Sequence, residues 1–188
     1  MKLRKMVAIP VAALLTALAL APAAPGVRHR QHPGTFRIEG AVEKPGEWTI
    51  ARLEQELAGD IKSVSYTLKR DKEPEEKGEA RCISLLDFIQ AAKLHLNAKV
   101  KNHQLAFVAL VRADDGYTAA FSMGELLPQF GKRGVWIALD REGKPLRGED
   151  SPVQLLVPED ERPARWVHGV SSITLIDGFE VTNKKAGK

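Results

Sequence analysis

Cysteine is almost absent from this chain: of its 188 residues only Cys82 carries a thiol. A lone cysteine closes no internal disulfide, so the fold has to rest on its apolar core. No CxxC or HExxH motif occurs, and the five histidines (His29, His32, His95, His103 and His168) are scattered, so no metal site is expected. No repeat period is visible. No serine or cysteine stands beside His168 to suggest a catalytic triad. Asp114 and Asp115 belong to an Asp-Gly turn rather than to a pair of acids.

Positive charge is also scarce once the chain is divided. The net charge is +4, from 28 basic and 24 acidic residues. Lys2, Arg4 and Lys5 precede an apolar run from Met6 to about Leu20, followed by Ala21-Pro22-Ala23-Ala24, the pattern of a secretory signal peptide. The run is shorter than the ~20 residues of a membrane span, and prolines interrupt it. Cleavage after Ala23 or Ala24 leaves 25 basic against 24 acidic residues; without Arg28, Arg30, Lys184, Lys185 and Lys188 the balance is 20 against 24. A mildly acidic body has no electrostatic motive for binding nucleic acid. The expected organisation is a signal peptide (1–24), a Pro/Gly/His/Arg linker (25–34), one domain (35–180) and a polar tail (181–188). The product would be periplasmic or secreted, with no membrane span after cleavage.

What is there is a succession of short strands with few helices. Thr35 to Val42 alternates apolar and polar residues, Lys44 to Glu47 is a turn, and Thr49 caps a helix ending at Gly59. Ile61 to Leu68 alternates again, with Val64, Tyr66 and Leu68 on one side. Lys69 to Gly78 is charged and reads as a solvated loop. Glu79 to Ile83 returns as a strand, and Ser84 caps a helix that turns Leu85, Leu86, Phe88, Ile89 and Ala92 inward. Leu105 to Arg112 is the most continuous apolar run and reads as a central strand. An Asp-Gly turn leads into Tyr117 to Phe121, then a capping box at Ser122 and Glu125. Gly131 to Gly134 is a basic loop, Val135 to Asp140 a strand, and Val153 to Val157 and Val170 to Ile176 two more. This is α+β, with a mixed sheet or partly closed barrel and short inserted helices.

Several of these stretches, in this order, resemble the molybdopterin-binding domain of the sulfite oxidase family in its short bacterial form, from about Phe36 to Ile176. They are Val42 to Leu53, Ile83 to Ile89, Asp115 to Ser122, Leu139-Asp140-Arg141-Glu142-Gly143-Lys144-Pro145-Leu146, Pro152 to Pro158, and Arg165-Trp166-Val167. The resemblance implies an α+β body with a mixed sheet folded towards a barrel. It also implies a molybdenum-binding cysteine in the loop well before the helix at Ser84, yet Tyr66 to Asp71 contains no thiol. Neither threonine nor lysine replaces a soft thiolate. Family members carry a histidine in the turn where this chain has Arg147-Gly148-Glu149-Asp150-Ser151, and they leave the cell through a twin-arginine signal, which Arg4-Lys5 is not. Cys82 is therefore a weak catalytic candidate, better read as a buried structural cysteine.

The cations crowded after Val157 supply the candidate binding residues: Arg165, which matches the family's basic residue before tryptophan, with Arg162, His168 and Lys132. They suit an anionic ligand. Alternatively Arg162 and Arg165 pair with Glu159, Asp160 or Glu161 while Trp166 packs inward. Three functions follow. The first is a module that has lost molybdenum chemistry and binds an anionic small ligand or a protein partner, with no cofactor. The second is a molybdopterin oxidoreductase ligated through Cys82. The third is an accessory subunit of a membrane complex, docking near Trp136 or Trp166.

Overall fold

The computed structural model describes residues 34–186. The expected signal peptide and all but the last residue of the expected linker lie outside the described residues. In chain order the elements are β1 (Phe36–Gly40), β2 (Gly46–Trp48), α1 (Ile50–Glu56), β3 (Lys62–Leu68), β4 (Glu76–Ser84), α2 (Leu85–Ala92), β5 (Phe107–Ala113) and β6 (Thr118–Ser122). There follow α3 (Met123–Leu126), β7 (Trp136–Ala138), β8 (Asp140–Arg141), β9 (Lys144–Pro145), β10 (Gln154–Leu156), β11 (Val170–Asp177) and α4 (Gly178–Ala186).

These strands form a five-stranded sheet ordered β2-β1-β11-β5-β6, a four-stranded sheet ordered β10-β7-β4-β3, and the small β8-β9 ribbon. Only β1 and β11 run parallel among the described pairings, so the larger sheet is mixed, as expected. No closed barrel forms among the described residues, because the two sheets stay separate and each keeps its edges. Alternation decides which faces meet. In β5, Phe107, Ala109, Val111 and Ala113 are buried, while Val108, Leu110 and Arg112 face the other way and are less covered. Leu105 does not join that strand: residues His103–Ala106 close a 3-10 turn first.

The helix starts follow from side-chain caps. Thr49 Oγ1 accepts from Arg52 N–H at 3.1 Å, and Ser84 Oγ accepts from Asp87 N–H at 2.9 Å. Ser122 and Glu125 complete a capping box at α3. Helix α1 ends at Glu56, three residues before Gly59, because a 3-10 turn takes over at Ala58. Amphipathic α2 buries Leu85, Phe88, Ile89 and Ala92. Phe88 then meets Phe36 at a tilt and Trp48 edge-on, with ring centroids 5.5 and 5.1 Å apart. Truncating such a fully buried ring to alanine costs about 3–5 kcal/mol.

Three expectations about local structure change. Strand β4 begins at Glu76 rather than Glu79, pairing Leu68 with Glu76, Thr67 with Lys77 and Tyr66 with Gly78. The charge run masked this, because its side chains stay exposed while its backbone pairs. The run from Val135 to Asp140 splits into β7 and β8, and Glu142-Gly143 turns the ribbon with both residues in the left-handed region (φ 50° and 70°). Helix α4, which was not expected, starts at Gly178 and runs on into the expected tail; Asp177 caps it, its Oδ1 accepting from Phe179 N–H at 2.9 Å and Glu180 N–H at 3.3 Å.

Two glycines are required by contact. Gly40 has φ +86°, and a Cβ there would lie 2.2 Å from Leu175 O on the parallel neighbour. A Cβ on Gly78 would lie 2.5 Å from Tyr66 Oη, because the Tyr66 ring lies across it.

Candidate functional site

The turn between β10 and β11 carries the expected cations, and β10 fixes one side of it. Leu155 and Val167 exchange backbone hydrogen bonds at 2.8 and 3.2 Å, and Val170 N–H donates to Val153 O at 2.9 Å. Trp166 is driven inward: its indole N–H donates to Val157 O at 3.1 Å, and its ring meets the Tyr66 ring edge-on at 5.6 Å. Trp166 is therefore buried and offers no docking face.

Arg165 meets carboxylates of its own chain. Its Nε donates to Asp160 Oδ2 at 2.8 Å, Nη2 to Asp160 Oδ1 at 2.7 Å, and Nη1 to Glu125 Oε2 at 3.1 Å. The Asp160 hydrogen bond foremost, then those of Glu125 and the two charges, raise its pKa above the ordinary guanidinium value. Its plane also lies over the Phe121 ring, 5.1 Å from the centroid. Arg133 approaches the same Asp160 at 3.3 Å, whereas Lys132 is exposed in a left-handed conformation (φ 52°) and forms no ion pair among the described residues. Of the two cations expected to reach the turn from the basic loop, Arg133 does so and Lys132 does not. Arg162 points elsewhere, to Asp71 at 3.5 Å, with both side chains more than three-quarters exposed.

His168 stands apart from Arg165 in a second cluster. Its Nδ1 lies 2.5 Å from Asp150 Oδ1 and 3.0 Å from Gln154 Nε2. Gln154, wholly buried in β10, accepts from Arg141 Nη2, and Arg141 Nη1 lies 3.9 Å from Asp150 Oδ2. Arg141 also covers Tyr66, 5.6 Å from the ring centroid. Burial acts to raise the Asp150 pKa, but the His168 hydrogen bond and the charges of Arg141, His168 and Arg70 outweigh it, so the carboxyl sits below its usual value. The four expected binding residues therefore do not converge on one site. Sequence reasoning missed Arg141, Asp150, Gln154 and Tyr66; a glutamine inside the apolar run Val153 to Val157 was the available signal, since a buried amide demands partners.

Cys82 lies in β4 with its side chain in the core, Sγ 3.5 Å from Ala80 O. Burial first, and the Asp140 charge second, push the thiol up to about 12. It faces no cavity. The region where the resemblance places a ligating cysteine instead borders an open groove of about 570 Å³, lined by Tyr66, Thr67, Lys77, Gly78, Glu79 and Glu142 among others. No group of His, Cys, Asp and Glu side chains suited to a metal ion occurs among the described residues. None of the described helices is long and apolar enough to cross a membrane.

No family model and no curated protein matches the chain. Its fold is similar to that in the crystal structure of the sulfane dehydrogenase SoxCD from Paracoccus pantotrophus, with a TM-score of 0.59 and 17% sequence identity. The match covers 78% of this chain and 39% of that one, so the chain spans well under half the length of the protein it matches. At that identity the likeness shows the fold alone. The fold is the α+β, sulfite-oxidase-like architecture that the sequence led us to expect.

Proposed function

We propose that this is an exported domain of sulfite-oxidase-like fold that has lost molybdenum chemistry and serves as a binding module for a small ligand or a protein partner. One observation carries the reading: the cations that would hold an anionic cofactor are neutralised by carboxylates of the same chain. Asp160 and Glu125 take three donors of Arg165, and Asp150 lies among His168, Arg141 and Arg70.

The donor set supports the same reading. A molybdopterin needs a thiolate at the metal and tolerance for a phosphate at its other end. The only thiol is buried and protonated well beyond neutral pH, and the groove near Tyr66 carries two carboxylates, Glu79 and Glu142, against one ammonium group, Lys77, a balance that disfavours a phosphate. These residues do not fit the group.

An Arg165→Ala variant tests the self-filled rim. It should lower stability while leaving any binding of inorganic phosphate unchanged. Loss of phosphate binding with unchanged stability would instead make Arg165 a ligand residue and contradict the proposal.

A further inference from the structure

A second concave region lies on the other side of α3. Glu125 of that helix turns to Arg165, while Met123 and Leu127 border a cleft of about 580 Å³ between α2 and the segment that follows it. Its floor is apolar, from Ile89, Met123 and Leu127, all buried. Its rim carries one carboxylate, Glu43, and one ammonium group, Lys93. Leu96, exposed despite its size, borders this cleft and, with Glu43, a neighbouring one of about 830 Å³. An apolar floor with few polar groups at its edge, at a volume of roughly 300–1,000 Å³, is the usual form of a small-molecule pocket.

The rim is held in place by backbone hydrogen bonds between residues 41–44 and 92–95. Glu43 N–H donates to Lys93 O at 2.8 Å, Lys44 N–H to Ala92 O at 3.0 Å, and His95 N–H to Ala41 O at 3.1 Å. Lys93 itself adopts a left-handed conformation, φ 57°, where glycine is the usual residue. Glu43 and Lys93 are thus joined by a backbone hydrogen bond and border the same cleft, yet among the described residues neither forms an ion pair.

We propose that this cleft binds a small zwitterion with an apolar side chain, an α-amino acid of the leucine or phenylalanine kind. Lys93 takes its carboxylate, Glu43 takes its ammonium group, and the side chain rests on Ile89, Met123 and Leu127. The two opposite charges above an apolar floor complement those three features of one molecule. None of the cleft's residues belongs to the Arg165 or His168 clusters, so the inference stands independently of what the cationic rim does.

The test is a titration of the full chain with L-leucine and L-phenylalanine, followed by amide and methyl chemical shifts. Saturable shifts at Ile89, Lys93, Leu96, Met123 and Leu127 are expected at millimolar concentration. Lys93→Gln and Glu43→Gln should each weaken binding about tenfold or more, with thermal melts unchanged because both side chains are exposed. 4-Methylpentanoate, which lacks the ammonium group, should bind as weakly to the parent chain as leucine binds to Glu43→Gln. Three results would overturn the proposal: no saturable shift with either amino acid, retained affinity in either variant, or equal binding of 4-methylpentanoate.

Discussion

His168 Nδ1 lies 2.5 Å from Asp150 Oδ1, joining the start of β11 to the turn before β10. That turn is the one in which the sequence resemblance leads one to expect a histidine, and here a carboxylate occupies it and receives a histidine from the opposite side.

Asp150 gives the fold a pH dependence on the acid side. Its folded pKa lies below the ordinary 3.8, so the unfolded chain takes up a proton at higher pH than the folded one. The contribution is complete above the unfolded value and is lost as pH falls through the folded value. Urea denaturation between neutral pH and pH of about 3 should show stability falling with acid, and Asp150→Asn should flatten part of that slope. An unchanged slope in the variant would remove Asp150 from the account.

Arg165 and Asp160 should behave as a coupled pair. Arg165→Ala strands a partly covered carboxylate and should cost about 1.5–3 kcal/mol, the range for hydrogen bonds to charged groups. Asp160→Asn should cost a similar amount, and the double variant less than the sum, because the pair fails once. Additive losses would mean that the two side chains do not depend on each other.

Gly78 and Tyr66 should couple through space alone. Gly78→Ala sets a methyl group 2.5 Å from Tyr66 Oη, and displacing the ring should cost about 1–3 kcal/mol. In a Tyr66→Ala background the same change should be nearly silent, because the atoms it strikes are gone. Equal costs in both backgrounds would place the strain elsewhere.

Cys82 should be chemically silent in the native chain. With its thiol pushed up to about 12, iodoacetamide should label it only after unfolding. The sign of its linkage is opposite to that of Asp150: between the unfolded value of 9.0 and about 12 the folded state holds the extra proton, so stability falls as pH rises through that range. Cys82→Ala should remove that alkaline slope, measured against parent chain in urea. Rapid native labelling would contradict the buried assignment.

Much of the architecture was legible from local chemistry. Ser84, Thr49 and Ser122 announced their helices because a cap is a local hydrogen bond, and β5 announced itself as an apolar run. Features decided by distant partners were not legible. Glu76 and Lys77 pair with β3 although their side chains are solvated, and α4 starts where Asp177 supplies the cap and His103 Nε2 lies 3.0 Å from its second oxygen. The surroundings of the candidate residues were hidden for the same reason. Charge signs along the turn after Val157 suggested an anion site, but Glu125, which completes the shell around Arg165, lies 40 residues earlier. Gln154 was visible only as an anomaly in an apolar strand, and its partners Arg141 and His168 came together through folding.

Loss of molybdenum chemistry can be measured by elemental molybdenum and pterin analysis of the full chain purified from its native host. Neither is expected at stoichiometric level in the folded protein. Molybdenum and pterin at one equivalent each, lost together in Cys82→Ser, would contradict that loss.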